Sequence, residues 1–333
     1  MVNVQAHDES AYQQVIVAVG TDAVLTAALQ ERCQLSGYGL TGLSSWTTHD
    51  GNAAALSEVA LVDSGSGRHH RRYDLTGIRI RAVVYLPSAP AEGRIPQELR
   101  RITDILRRAG STDAPFYLMT AAATDHSTAL GPESPSSSGG VEEVLRSTGH
   151  PHSVVRTSTL IGDSGTGAIA EFGTVYRLCK ALLGARRPRI PFSPGARVDL
   201  IPCDVVADVL VRLIENGFVG GDYWLTGGEH ALTVEQAVTE LLSAARQAGL
   251  PVAHQSVVFD DSWAGRRYVS DGGGNSPLIV DSPLPSSLGN QFETALGELG
   301  AIGTPALPGA IDALRASLRY WAGTVAAERV LVA

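Results

Sequence analysis

The feature that most constrains this chain is a recurring pair: a continuous β-branched run, then a stretch with helical apolar spacing. "QVIVAV" leads into "AVLTAALQERCQLSG", "IRAVVYL" into "PQELRRITDILRRAG" and "PFYLMTAA" into "VEEVLRSTG". "GLTGL" follows the first helix as a further strand, and "HSVVRTSTLIG" closes the series. A strand that is apolar along its whole length needs cover on both faces. A strand reached through a helix runs parallel to its predecessor. The expected fold is therefore α/β, a doubly wound parallel sheet, with its ligand crevice beyond the carboxyl ends of the strands. At 333 residues and 44% hydrophobic content, the chain can bury that core and still build a smaller second region.

The formal net charge of -8 disfavours nucleic acid or an anionic membrane surface as a partner and leaves a small molecule. Cys33, Cys179 and Cys203 lie far apart with no metal-ligand spacing, and read as reduced core thiols of a cytoplasmic protein. "MVNVQAHDES" holds no apolar segment, and no later run approaches the roughly 20 apolar residues of a membrane span. The adjacent His69 and His70 do not share a helical face, so no metal site is expected. "GPESPSSSGG" and "SDGGGNSPLIVDSPLPSSLGN" read as long loops, of the kind that borders sites.

A set of segments in fixed order carries a resemblance. "RYDLTG", "AVVYLPSA", "VVRTSTLIGDSGTG", "RVDLIPCDVVADVLVRLIE" and "GDYWLTGGEHALTVEQAVTELL" resemble the extended short-chain dehydrogenase/reductases, the subgroup of sugar-nucleotide epimerases and thioester reductases. The resemblance implies a Rossmann-like dinucleotide-binding core over residues 10–165. Residues 166–333 would then be mostly a substrate-binding and capping region, with segments around 195–215 returning to the core.

In that family a glycine fingerprint follows the first strand, its backbone amides meeting a pyrophosphate at a helix N-terminus. The same frame here reads "GTDAVLT": Gly20 is kept, while Ala23 and Thr26 stand at the later glycine positions. The resemblance places Gly20, Thr21, Asp22, Ala23 and Val24 at the pyrophosphate. It puts Asp74 and Leu75 at the adenine, Pro87 and Ser88 along the nicotinamide ribose, and Ser158 (for the family's proline) with Thr159 at the carboxamide. "GLSSW" ends the second strand with Ser44 and Ser45 and no acid. Nothing there repels a 2'-phosphate, so NADP(H) is expected in preference to NAD(H).

The family's catalytic Ser-Tyr-Lys positions are empty in this chain. The serine frame falls on Ala121 beside Thr120, the tyrosine position on Ser134 and the lysine position on Ser138. Serine is far less acidic than a phenol, and no cation is at hand to lower its pKa. Thr120 is the best candidate for a polar group near a carbonyl. "YRLCK" offers Tyr176 and Lys180 at the family's spacing, but after the sixth strand, on a helix that borders the substrate pocket.

A lost general acid removes about 10²- to 10⁴-fold, roughly 3 to 5 kcal/mol, whereas positioning a hydride donor is worth roughly 7 to 11 kcal/mol. The resemblance, taken with the empty triad positions, implies an NADPH-dependent ketoreductase acting on an aromatic polyketide of angucyclinone type in antibiotic biosynthesis. Its proton would come from the substrate or water, and Trp263 or Tyr268 could stack on the flat rings. The alternatives are a non-catalytic NADP-binding sensor or scaffold, and a non-redox cyclase or dehydratase using Asp125, His126 or Asp163.

Overall fold

The computed structural model describes residues 14–20, 22–43, 59–61, 71–73, 79–86, 99, 102–103, 106–107, 110–122, 137–184, 189–190, 192–217, 220–252, 257–259, 291–303 and 308–332. Contacts divide the chain into two compact units. The first takes in residues 1–120, 136–155 and 210–222, and the second residues 121–135, 156–209 and 223–333.

The first unit opens with β1 (Gln14–Gly20), α1 (Ala23–Leu35) and β2 (Gly39–Leu43). α1 is capped by Asp22, buries Leu25, Leu29 and Cys33 at successive four-residue steps, and is followed by Gly37 at φ 76°. A short antiparallel hairpin follows, β3 (Val59–Leu61) with β4 (Arg71–Tyr73), within a stretch whose sequence reads only as polar. Three-residue strands carry too little periodicity to be legible before the pairing is seen. Then come β5 (Arg79–Leu86), β6 (Phe116–Ala121), α2 (Ser137–Thr148) and β7 (His152–Thr157).

The chain continues through β8 (Thr159–Ile161), α3 (Thr174–Gly184), β9 (Arg189–Ile190), β10 (Arg197–Val198) and β11 (Leu200–Pro202). It goes on through α4 (Cys203–Glu215), β12 (Asp222–Leu225), β13 (Leu232–Thr233), α5 (Val234–Gln247), β14 (Val258–Phe259), α6 (Leu296–Leu299) and α7 (Ala310–Val332). Six strands hydrogen-bond in the order β12-β7-β6-β5-β1-β2. β1 is parallel to β2 on one side and to β5 on the other, and β5 is parallel to β6. The fold is a Rossmann-like parallel sheet with flanking helices.

Strand alternation divides the first unit's core. Val17, Val19, Val83, Tyr85, Phe116 and Leu118 pack with Leu99, Ile102, Leu106, Val141 and Leu145. Tyr117, of opposite parity in β6, is fully buried and its hydroxyl donates to the Leu213 carbonyl at 3.3 Å. The Arg81 guanidinium donates to the Ile214 carbonyl at 3.3 Å, supplying an orphan acceptor at the end of α4 with a positively charged donor.

The second unit has its own core, in which Ile161, Leu200, Val238, Leu241, Leu314, Leu318 and Trp321 join. α5 begins with a capping box between Thr233 and Gln236. Arg315 donates to both oxygens of Glu240 at 2.9 and 2.8 Å, holding α5 and α7 in register and lowering the Glu240 pKa. Among the described residues no helix is long and apolar enough to cross a membrane. Leu318→Ala, at a buried position in this core, is expected to destabilise by about 2–5 kcal/mol, read as a fall in the urea midpoint.

Candidate functional site

The sheet order sets where a ligand can sit. The chain leaves β1 toward β2 and later returns to the other side of β1 as β5. In an open α/β sheet such a reversal leaves a crevice at the carboxyl ends of the two strands. Gly20 ends β1 there, paired with Leu86, the last residue of β5. Its φ is 131°, and a Cβ at this position would lie 1.8 Å from the Leu86 carbonyl oxygen, so only glycine fits.

α1 starts at once from this turn. Its first intrahelical bond is Thr26 N–H to Asp22 C=O at 3.0 Å, so the amides of Ala23, Val24 and Leu25 precede the helical ladder. The Leu25 amide donates to the Asp22 carboxylate at 2.9 Å. The backbone therefore fits a dinucleotide pyrophosphate, with a glycine turn and helix-start amides. The charge does not fit: the exposed Asp22 side chain holds one of those amides with a carboxylate. Thr26, at the third glycine position, is accommodated half-buried in the first turn of the helix. Thr21, Ser44, Ser45, Asp74, Leu75, Pro87 and Ser88 lie outside the described residues.

β6 is buried on both faces through Thr120, which a neighbour engages, and only its last residue, Ala121, is exposed. The exposed strand-end position thus carries a methyl group. Ser138 lies in the first turn of α2, and Ser134 outside the described residues. On α3, Tyr176 is 1% exposed and its hydroxyl accepts from the Gly162 amide at 3.0 Å. Burial pushes this phenol up to about 12, against the opposing pull of the Gly162 hydrogen bond. Lys180 is exposed. Tyr176 is therefore a protonated core residue, and Lys180 a surface charge.

The second unit contains a polar node that sequence reasoning missed. Asp199 is fully buried, yet accepts from the Gly227 amide at 2.7 Å and the Phe292 amide at 3.4 Å. Burial raises its pKa, and these amide hydrogen bonds favour the charged form. Ser158 is itself buried, and its amide donates to Leu225 C=O at 3.3 Å. Thr159, half-buried in β8, is the more accessible of the two residues assigned to a carboxamide. Asp163 closes its own turn: one carboxylate oxygen accepts from the Gly165 amide, the Thr166 amide and the Thr166 hydroxyl at 3.1, 2.8 and 2.7 Å. Asp125, His126, Trp263 and Tyr268 lie outside the described residues.

All three cysteines are free and buried. Burial pushes each thiol from 9.0 up to about 12. Among the described residues no group of three or more His, Cys, Asp or Glu is placed to hold a metal.

Comparison with known proteins agrees with this architecture. The NAD-binding family model described as "Male sterility protein" matches residues 140–210, less than half of the chain. The UDP-glucose 4-epimerase from Brucella ovis, solved with NAD, is similar at 11% identity and a TM-score of 0.55, over 93% of this chain and 98% of that one. The terminal R domain of the myxalamid PKS-NRPS biosynthetic pathway is similar at 15% identity and a TM-score of 0.55, over 94% and 90%. The UDP-glucose 4-epimerase of Thermus thermophilus, also with NAD, gives 15% identity and a TM-score of 0.51, over 92% and 99%. At these identities the likeness is one of fold alone, the Rossmann-like parallel sheet with flanking helices. No curated protein matches the sequence.

Gly20→Ala is expected to open the β1–α1 turn, lowering the melting temperature and weakening any dinucleotide bound there by more than tenfold in a titration. Lys180→Ala is expected to leave stability within about 0.5 kcal/mol of the parent, whereas Tyr176→Phe lowers it by about 1–2 kcal/mol through the orphaned Gly162 amide. The buried thiols also give a pH dependence. Folded thiols near 12 against 9.0 unfolded mean that the unfolded chain releases its protons first. Their contribution is complete below pH 9 and lost as pH rises from 9 to 12, which denaturant titrations across that window would measure.

Proposed function

We propose that this protein is an NADPH-dependent ketoreductase that reduces a ketone of an angucyclinone-type aromatic polyketide without a Ser-Tyr-Lys triad. The observation that carries the reading is the Gly20 turn, seated on Leu86 at the switch point of the sheet and running directly into α1. Two similar structures were solved with NAD, and a third comes from a polyketide-peptide pathway. The preference for NADPH rests on Ser44 and Ser45, which set no negative charge against a 2'-phosphate. The partner is then a small molecule, with no nucleic acid or membrane involved, and the setting a cytoplasmic step of antibiotic biosynthesis.

A reduced nicotinamide, when bound, supplies a hydride to a carbonyl carbon. The chain's own contribution is binding and orientation: Gly20 keeps the turn tight, and the amides of Ala23 and Val24 face the phosphates. Ala121 has no proton to give, and the Thr120 hydroxyl is enclosed. The proton accordingly comes from the substrate, from a phenol hydrogen-bonded to the neighbouring ketone, or from water. Such a ketone is already activated, so the ~10²- to 10⁴-fold worth of a general acid is supplied internally. The same inert strand end favours a second reading, a non-catalytic NADP-binding sensor.

The test is a titration with NADPH and NADH, followed by addition of an aryl-ketone polyketide while the reduced-nicotinamide absorbance is monitored. The expected result is tighter NADPH binding, then substrate-dependent oxidation that falls about 10²-fold or more when the neighbouring phenol is methylated. Binding with no oxidation by any such ketone selects the sensor. Failure to bind either nucleotide removes both readings.

A further inference from the structure

We propose that Asp22 sets the affinity of the β1–α1 turn for its dinucleotide by occupying, with its own carboxylate, the place a pyrophosphate oxygen would take. The inference rests on the reading that this turn binds NADPH. A helix start offers an anion only the amides that precede the first intrahelical bond. Here those are Ala23, Val24 and Leu25, and Asp22 Oδ1 already accepts from Leu25 at 2.9 Å. An incoming phosphate thus meets an amide in use and a negative charge beside it. The first turn of α1 brings no basic residue to offset that charge; its only base among the end residues is Arg32, at the far end of the helix.

The backbone cannot make room by retreating. Gly20 is in register with Leu86, and a single added methyl would already collide with the Leu86 carbonyl. Among the described residues of this turn, the Asp22 side chain is exposed and can swing aside. A phosphate taking the Leu25 amide would require the Asp22 carboxylate to rotate out to solvent. The exchange costs the cap hydrogen bond and leaves two like charges close together. One residue thereby serves opposite ends: it stabilises α1 when the turn is empty and opposes the ligand that would fill it.

The experiment titrates the full chain and its Asp22→Asn and Asp22→Ala variants with NADPH at low and high ionic strength. Adenosine 2'-monophosphate, which has no pyrophosphate, serves as the control ligand. Asn keeps an oxygen for the cap and removes the charge; Ala removes both. In Asp22→Asn the NADPH Kd is expected to fall about tenfold or more, the scale of one charge-assisted hydrogen bond. The gap from the parent should narrow as salt screens the repulsion, and the affinity for adenosine 2'-monophosphate should not change. Asp22→Ala is expected to bind NADPH more tightly than the parent while melting at a lower temperature without ligand. Equal or weaker NADPH binding by Asp22→Asn overturns the inference and leaves the cofactor reading standing. A parent and variants that all fail to bind NADPH overturn the cofactor reading, and the inference with it.

Discussion

The contact between Gly20 and the Leu86 carbonyl governs what the first unit can do. It exists because β1 and β5 run parallel in a register that ends both strands at the same level. It admits no side chain, so the chain must turn immediately and start α1 from a fixed point. Which amides precede the helical ladder, and which side chain caps them, follow from that start. Asp22 fills that helix start, since a cap is the one occupant of such a position that the chain can supply itself.

The second unit is organised around a different constraint, a carboxylate with no exposure to water. Asp199 is tolerated in the core only because backbone amides from residues 227 and 292 converge on it. That convergence ties together stretches more than sixty residues apart in sequence. Tyr176 plays a similar part on α3, where its hydroxyl satisfies the amide of Gly162. A tyrosine at the spacing of a proton-donating pair is here a structural hydrogen-bond partner. The helix turns Tyr176 and Cys179 inward and leaves Lys180 outside.

These placements bear on chemistry by what they withhold. The exposed end of β6 presents the methyl of Ala121, and the adjacent Thr120 is buried. Asp163 commits its carboxylate to three donors of its own turn.

The alternation of β-branched runs with amphipathic stretches determined the fold class and most of the main strands, because burial on both faces and helical return leave few other solutions. The residue types at the positions where the resemblance puts a triad were likewise legible, since an alanine is an alanine wherever it lies. What could not be read from sequence were the facts that depend on two distant segments at once. The hairpin β3–β4 is too short to show a period, and the Asp199 node joins residues with no local pattern in common. The "GTDAVLT" frame marked Asp22 as part of a phosphate turn, but only the folded helix start revealed that its carboxylate already holds the Leu25 amide. Local spacing encodes which elements form; which polar groups meet, and which are left for a ligand, is decided when those elements pack.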